Sequence, residues 1–64
     1  MAARTYDTTV AMTHGPLAGI PATIERVLAR LASGDLLITI RFAQPVLFRR
    51  ALVERVDVRR SEVA

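Results

Sequence analysis

The strongest constraint on the fold is a regular alternation of apolar and polar residues between Asp35 and Phe42. The apolar residues occupy every second position, namely Leu36, Ile38, Ile40 and Phe42. Successive side chains of a β-strand point to opposite faces, so this period of two predicts a strand with one buried face. A single strand cannot bury that face alone, and the chain must therefore supply neighbouring strands.

The length of the chain limits what those strands can build. At 64 residues the chain forms one domain, and a domain of about 60 residues buries only about 60% of the surface that its unfolded chain exposes. It has no cysteine, which excludes a disulfide framework and thiolate metal sites. We expect a thin core with little room for a shielded acid–base pair.

Charge and hydropathy point to a small soluble module. All nine basic residues are arginines, they are spread along the chain, and the formal net charge is +3. This allows weak attraction to phosphates, but a solvated surface explains it more simply. No apolar run approaches the ~18 residues of a membrane span, and no signal-peptide stretch is visible. We therefore expect a cytoplasmic location.

Two segments have an ambiguous period. The segment from Ile20 to Leu31 carries apolar residues at helical spacing, namely Ile20, Ile24, Val27, Leu28 and Leu31. Periodicity alone favours a helix here, since the alternation of a strand slips before Val27. Pro45 to Val58 also suits either a β-strand pair or a short amphipathic helix. Local rules alone favour a mixed α+β fold.

Four pieces of sequence, in order, carry a resemblance to a known family. They are Thr9–Ile20 with its Gly-Pro-Leu-Ala-Gly turn, Ala22–Val27, Leu36–Ile40, and Pro45–Val56 with its Val-Glu-Arg-Val ending. Together they resemble the KOW motif in the C-terminal domain of NusG-like transcription elongation and antitermination factors. The resemblance covers roughly residues 6 to 58.

The resemblance implies an all-β fold, a small five-stranded SH3-like barrel. Residues 6–58 would form the barrel, residues 1–5 a flexible N-terminus and residues 59–64 a C-terminal tail that frays. The expected strands are Asp7–Met12, Ala22–Leu28, Leu36–Phe42, Val46–Arg50 and Val53–Val56. The expected core is Val10, Met12, Ile24, Leu36, Ile38, Ile40, Val46, Phe48, Val53 and Val56. Gly15 and Gly19 would give the first turn the backbone freedom that it needs.

A second state is also implied. The short connection Ala43-Gln44 resembles that of specialised paralogues, the RfaH-like and UpxY-like antitermination factors. RfaH-like domains alternate between a helical hairpin, when docked on a partner domain, and a barrel. The helical spacing in Ile20–Leu31 is what such a switch requires, because its two packings must differ by only a few kcal/mol. Without a partner domain, the barrel is the expected form.

The resemblance also suggests partners and contact residues. Leu17 and Ile20 occupy turn positions where NusG carries exposed aromatic residues that meet partner proteins, and Phe42 ends the third strand near a contact loop. The implied partners are ribosomal protein NusE or the Rho factor. RNA polymerase is contacted through the family's N-terminal domain, which is not among these residues. For Leu17, Ile20 and Phe42, the alternative is an ordinary place in the core.

Other functions remain open at this point. Arg49 and Arg50 could contact RNA phosphates, as in a KOW module of the ribosomal-protein type, although no aromatic residues interleave with them to stack bases. A structural barrel that self-associates is a third possibility. His14 has no nucleophile at a useful spacing and is read as a solvated loop residue. The residues thus suggest no enzyme, no cofactor and no metal site.

Overall fold

The computed structural model describes residues 9–64, and this part of the chain is all-β. Its strands are β1 (Thr9–Val10), β2 (Ala22–Arg30), β3 (Leu36–Phe48) and β4 (Ala51–Arg59), followed by a 3-10 helix over Arg60–Glu62. The strands form one antiparallel sheet in the order β1-β2-β3-β4. The all-β class is confirmed. The predicted flexible residues 1–5 and the predicted strand residues 7 and 8 lie outside the described residues.

The predicted five-stranded closed barrel is wrong, because the described residues form four strands in an open sheet. The predicted third and fourth strands are one continuous strand, β3. Its pairing with β4 passes from Arg41↔Arg55 to Val46↔Val53 across an irregularity. Pro45 lies in this stretch and has no N–H to donate to a ladder. An excess of residues on one strand bends it and increases its twist, so β3 bends here rather than ending.

The helical spacing in Ile20–Leu31 results from β-bulges. β2 has two register shifts against β3, which leave Glu25 and Leu28 without a Cα partner on that strand. Each extra residue shifts the alternation of apolar and polar residues along β2 by one position. A strand with two bulges therefore shows apolar residues at spacings longer than two, which resemble the spacing of a helix. Val27 and Leu28, both part of the apparent helical stripe, are exposed. Among residues 9–64 there is no α-helix.

The core lies on one face of the sheet, around the middle of β3. Ile38 and Ile40 have no exposed surface at all. The other buried apolar residues are Val10, Leu17, Ala22, Phe42 and Val63. Besides these two isoleucines, seven predicted core residues pack in or against this cluster: Val10, Met12, Ile24, Leu36, Val46, Phe48 and Val56. Val53 is half-buried but outside the cluster, whereas Leu17, Ala22, Phe42 and Val63 are additional core members.

The end of the described chain differs from the predicted tail. The 3-10 helix turns it back, and Val63 enters the core with 5% of its surface exposed. The N–H of Ala11 donates to the carbonyl of Ala64 at 3.1 Å, and the N–H of Ala64 donates back to Ala11 at 3.0 Å. The N–H of Thr13 adds a third bond, to the carbonyl of Glu62 at 2.9 Å. These long-range bonds hold residues 59–64 in place.

The side chain of Asp35 also holds the 3-10 helix in place. Its carboxylate accepts hydrogen bonds from the Ser61 hydroxyl at 2.5 Å, from the Ser61 N–H at 3.2 Å and from the Leu36 N–H at 2.8 Å. The Ser61 hydroxyl is the largest cause that lowers the pKa of Asp35 below its usual range, followed by the Leu36 N–H. One ionised side chain therefore links the start of β3 to the 3-10 helix.

Ile38→Ala tests the centre of the core. Removing a fully buried branched side chain should cost about 2–5 kcal/mol of unfolding free energy, a large share of the stability of a domain this small. Chemical denaturation of the wild type and the variant measures the loss. Leu47→Ala is the matched control, because Leu47 is 70% exposed and its truncation should change stability by no more than about 0.5 kcal/mol. Equal losses would show that Ile38 is not central.

Asp35→Asn tests the anchor through its pH dependence. The folded pKa of Asp35 lies below the unfolded value, so its ionised form stabilises the fold above the unfolded pKa and loses this effect as the pH falls through the folded pKa. We expect the melting temperature of the variant to be lower than wild type near neutral pH and to approach it in acid. Ser61→Ala should show a weaker version of the same trend. A difference between Asp35→Asn and wild type that is constant with pH would contradict the assignment.

Candidate interaction surface

A groove follows the bend of β3. One half has a volume of about 310 Å³ and is lined by Ile20, Pro21, Ala43, Gln44, Pro45 and Val46. The other half has a volume of about 280 Å³ and is lined by Thr9, Pro21, Ala22, Thr23, Arg41, Phe42 and Ala43. Pro21 and Ala43 line both halves, so we treat them as one surface, the bend groove.

The bend groove exists because two chain segments are held apart. Pro21 fixes the entry to β2, and Pro45 lies in the irregular stretch where β3 bends away from β4. Both prolines and Ala43 are exposed, and they give the groove an apolar surface that loses little conformational freedom when it is covered. Arg41 and Gln44 add polar groups. Such a surface suits an apolar side chain or an extended segment of a partner.

The three predicted partner-binding residues have different positions. Ile20 is half-buried and lines one half of the groove. Phe42 lines the other half but is only 2% exposed, so it contributes mainly to the floor. Leu17 is 7% exposed and does not line the groove. For Leu17 and Phe42 the structure therefore gives the core position that was the alternative, and neither is an exposed anchor.

The turn that buries Leu17 depends on two glycines. Gly15 and Gly19 have φ values of 85° and 81°, which other residues adopt only with strain. The N–H of Ala18 donates to the carbonyl of Gly15 at 3.1 Å, and the N–H of Gly19 donates to the carbonyl of Met12 at 3.0 Å. These bonds curl the loop over the sheet and direct Leu17 into the core cluster.

Several groove residues were not predicted as contacts. Pro21, Ala43, Pro45 and Val46 lie far apart in sequence or were assigned to turns and strands. The one signal that the sequence offers is the pair of prolines, since a proline interrupts the hydrogen bonding of regular elements. Their proximity follows from the bend in β3, and no local pattern encodes that bend.

The Arg49-Arg50 pair forms the turn between β3 and β4. The two residues have φ values of 52° and 66°, as in the type I′ turns that usually carry Asn-Gly. Two adjacent residues with a Cβ in this region store backbone strain. The guanidinium carbon of Arg49 lies 5.0 Å from the centre of the Phe48 ring. Within residues 9–64, neither arginine forms an ion pair with a carboxylate.

Paired charges connect β2 and β4, the two strands that flank β3. Nε of Arg55 on β4 donates to a carboxylate oxygen of Glu25 on β2 at 2.7 Å. This hydrogen bond is the largest cause that lowers the pKa of Glu25, and it raises the pKa of Arg55. Glu25 and Arg55 are both exposed, as are Arg26 and Glu54. These charges face solvent, and an exposed pair of this kind adds little stability.

In the described part of the chain, the remaining polar side chains do not form a metal-binding cluster. His14 is exposed, and its Nδ1 lies 2.8 Å from Oγ1 of Thr13. Residues 9–64 contain no group of three histidine, cysteine, aspartate or glutamate side chains placed to hold a metal ion. They also contain no helix with the length and hydropathy needed to span a bilayer. Two surfaces remain as candidates for binding a partner: the bend groove and the exposed turn at Arg49-Arg50, which we call the arginine turn.

Comparison with protein-family models, curated proteins and solved structures finds no match to this chain. The resemblance to the KOW motif consequently depends on the residues that carry it.

Arg50→Gly tests the strain in the turn. Glycine adopts a positive φ without the penalty of a Cβ, so this change should raise the unfolding free energy by about 1 kcal/mol. It leaves Arg49 in place over Phe48. Arg50→Ala removes the same charge but keeps a Cβ, and it should give no such gain. Thermal and chemical unfolding of both variants measure the difference. If Arg50→Ala stabilises as much as Arg50→Gly, charge rather than backbone strain is responsible.

Proposed function

We propose that this chain is a protein-interaction domain of the KOW type from a NusG-like transcription elongation or antitermination factor. In this proposal the bend groove receives a segment of the partner, NusE or Rho, and the domain acts in the cytoplasm. The observation that carries the proposal is an open apolar groove beside the Gly-Pro-Leu-Ala-Gly turn, the part of the sequence that most resembles the motif.

The order of structural elements supports this reading. Four antiparallel strands follow one another as a meander, and a 3-10 helix then leads back to the first segment. Met12 and Val63 form an antiparallel bridge there, a contact outside the four named strands. This chain path keeps the consecutive antiparallel strand order that the resemblance implies, although its sheet is open and four-stranded.

The shape of the groove favours a protein partner over a small molecule. The groove is shallow and open, whereas sites for small ligands usually enclose most of the ligand surface. Its apolar surface is supplied by rigid residues, Pro21, Ala43 and Pro45, with Ile20 beside them. A few apolar contacts at the centre of an interface supply most of its binding energy, and polar residues at the rim influence the encounter.

The proposed roles of the predicted contact residues follow from their burial. Ile20 is half-buried and contacts the partner directly. Phe42 supports the groove from beneath, and Leu17 holds the turn against the core, so both act by positioning. Substituting either buried residue would damage the fold together with binding. A useful test therefore changes an exposed groove residue.

RNA binding is the second candidate function, and the arginine turn favours it. Arg49 and Arg50 are exposed at the end of a hairpin and form no ion pair with a described carboxylate. The sequence Asn-Gly would be less strained in this turn than two arginines. The presence of two arginines is explained if their guanidinium groups contact an anion. However, the nearby Phe48 is half-buried and its ring is covered by Arg49, so base stacking gains no support.

Ala43→Tyr tests the groove as a protein-binding site. Ala43 lines both halves and is exposed, so a tyrosine would fill the groove without entering the core. We expect binding of NusE or Rho, measured by calorimetry, to weaken at least about tenfold, equivalent to losing about 1.4 kcal/mol. Ala32→Tyr is the matched control, since Ala32 is exposed in the turn before β3, and it should bind as the wild type does.

The same variants separate the two functions when titrated with a short single-stranded RNA. If the chain binds RNA through the arginine turn, Ala43→Tyr should bind normally. Arg49→Ala with Arg50→Ala should then weaken RNA binding and reduce its salt dependence. A protein partner that binds Ala43→Tyr and Ala32→Tyr equally well would contradict docking in the bend groove.

A further inference from the structure

The outer edge of β4 is long and open. β4 is the last strand in the sheet order, and within residues 9–64 it pairs only with β3. It spans nine residues, Ala51–Arg59, and none of them is buried. Alternate residues of an edge strand direct their N–H and C=O groups away from the sheet, where another strand can bind them.

The opposite side of the sheet is organised differently. β1 has only two residues, and the segment after it is bonded to residues 62–64 at the end of the described chain. β4 contains neither a proline nor a bulge of its own, two of the features by which natural edge strands avoid pairing. It does carry charged side chains, a third such feature, and these limit its pairing to a partner of complementary charge. The irregularity in the β3–β4 ladder lies on β3, through its extra residues.

We propose that β4 pairs with β4 of a second copy of this chain, antiparallel and about a two-fold axis, to form a continuous eight-stranded sheet. This proposal is independent of the proposed function. No residue of β4 lines the bend groove, so the two surfaces can be tested separately.

Strand geometry restricts the register of such a pair. Because only alternate residues direct their backbone groups to the free edge, each residue must face one that has the same orientation. For two identical strands related by a two-fold axis, the axis must therefore pass through a residue that faces its own copy. A shift by one residue would place outward-directed groups opposite inward-directed ones.

Charge excludes several of the registers that remain. An axis at Glu54, Arg55 or Asp57 would place two like charges directly opposite each other, which is destabilising. An axis at Val56 instead places Arg55 opposite Asp57 of the second copy, and the symmetry produces this pair twice. It generates no like-charge pair within β4.

An axis nearer the end of β4 pairs less of the strand. With the axis at Val58, much of β4 would face the 3-10 helix at Arg60–Glu62 rather than another strand. With the axis at Val53, pairing would run into the turn at Arg49-Arg50. The register centred on Val56 is therefore the one that joins strand to strand along most of the length with complementary charges.

Both charged side chains retain groups for this contact. Arg55 uses its Nε for Glu25. Its Nη1 lies 3.9 Å from a carboxylate oxygen of Glu54, too far for a hydrogen bond, so its terminal nitrogens can still donate to a second carboxylate. Asp57 accepts one hydrogen bond, through Oδ1 from the Thr39 hydroxyl at 2.8 Å, and its Oδ2 can accept from an arginine. Both residues are exposed, so forming the pair requires no rearrangement of the core.

The exposed Leu47–Leu52 pair is the main alternative surface for self-association. The two leucines face each other across the β3–β4 hairpin and are 70% and 72% exposed. They lie beside Arg49 and Arg50, and a contact between copies at this end would bring four arginines together. Repulsion between them disfavours that arrangement, and the charge pattern of β4 favours the edge.

Sedimentation equilibrium over a range of protein concentrations tests the proposal with three variants. Asp57→Asn keeps an acceptor for Thr39 and removes the charge, so it should weaken association several-fold. Asp57→Arg places like charges opposite each other twice and should weaken it about tenfold or more. Arg55→Asp combined with Asp57→Arg restores opposite charges and should recover most of the loss. Thermal unfolding verifies that each variant is folded.

Hydrogen exchange of the wild-type chain provides a readout that needs no variant. Alternate amides between residues 53 and 59 should become more protected as the protein concentration rises, because they enter new backbone hydrogen bonds. A wild-type chain that stays monomeric at millimolar concentration would overturn the proposal. So would a dimer that is insensitive to Asp57→Asn and Asp57→Arg but is lost in Leu47→Ser with Leu52→Ser.

Discussion

Among residues 9–64, Ile38 and Ile40 on β3 are the two large side chains with no exposed surface. The rest of the structure depends on keeping these two side chains away from solvent. β3 achieves this by pairing with β2 on one side and β4 on the other, while Leu17 and Val63 cover its inner face from the loop and from the end of the described chain. A domain of this size has a small core. Each of these covering contacts is therefore a substantial part of its stability.

The length of β3 also produces both candidate surfaces. A strand of 13 residues cannot remain flat over so small a core, and it bends around Pro45 where its pairing with β4 is irregular. The bend opens the groove on one side, and beyond it the hairpin continues to the strained Arg49-Arg50 turn. The sheet stays open at β4, whose backbone edge lies outside the groove. The proposed binding of a partner and the proposed pairing of two copies would thus use different atoms.

Much of the fold was predictable because some of its signals are local. The period of two in Leu36–Phe42 depends only on strand geometry, and the two glycines of the first turn have the positive φ that their sequence indicated. The candidate site was less predictable. Ile20 and Phe42 do line the groove, but the exposed Ala43 gave no local signal, and Pro45 indicated only an interruption of regular structure. Their role arises only when the bend brings them beside Pro21.

The sequence by itself determined that Leu36–Phe42 is a strand, that the Gly15–Gly19 segment is a turn, and that the fold contains no disulfide. Tertiary structure decided the segments whose local signals conflict. β2 reads as a helix until bulges at Glu25 and Leu28 adapt it to β3, and Val63 looks like part of a tail until the 3-10 helix returns it to the core. The physical reason is that burial and strand pairing join residues distant in sequence, and these contacts outweigh weak local preferences.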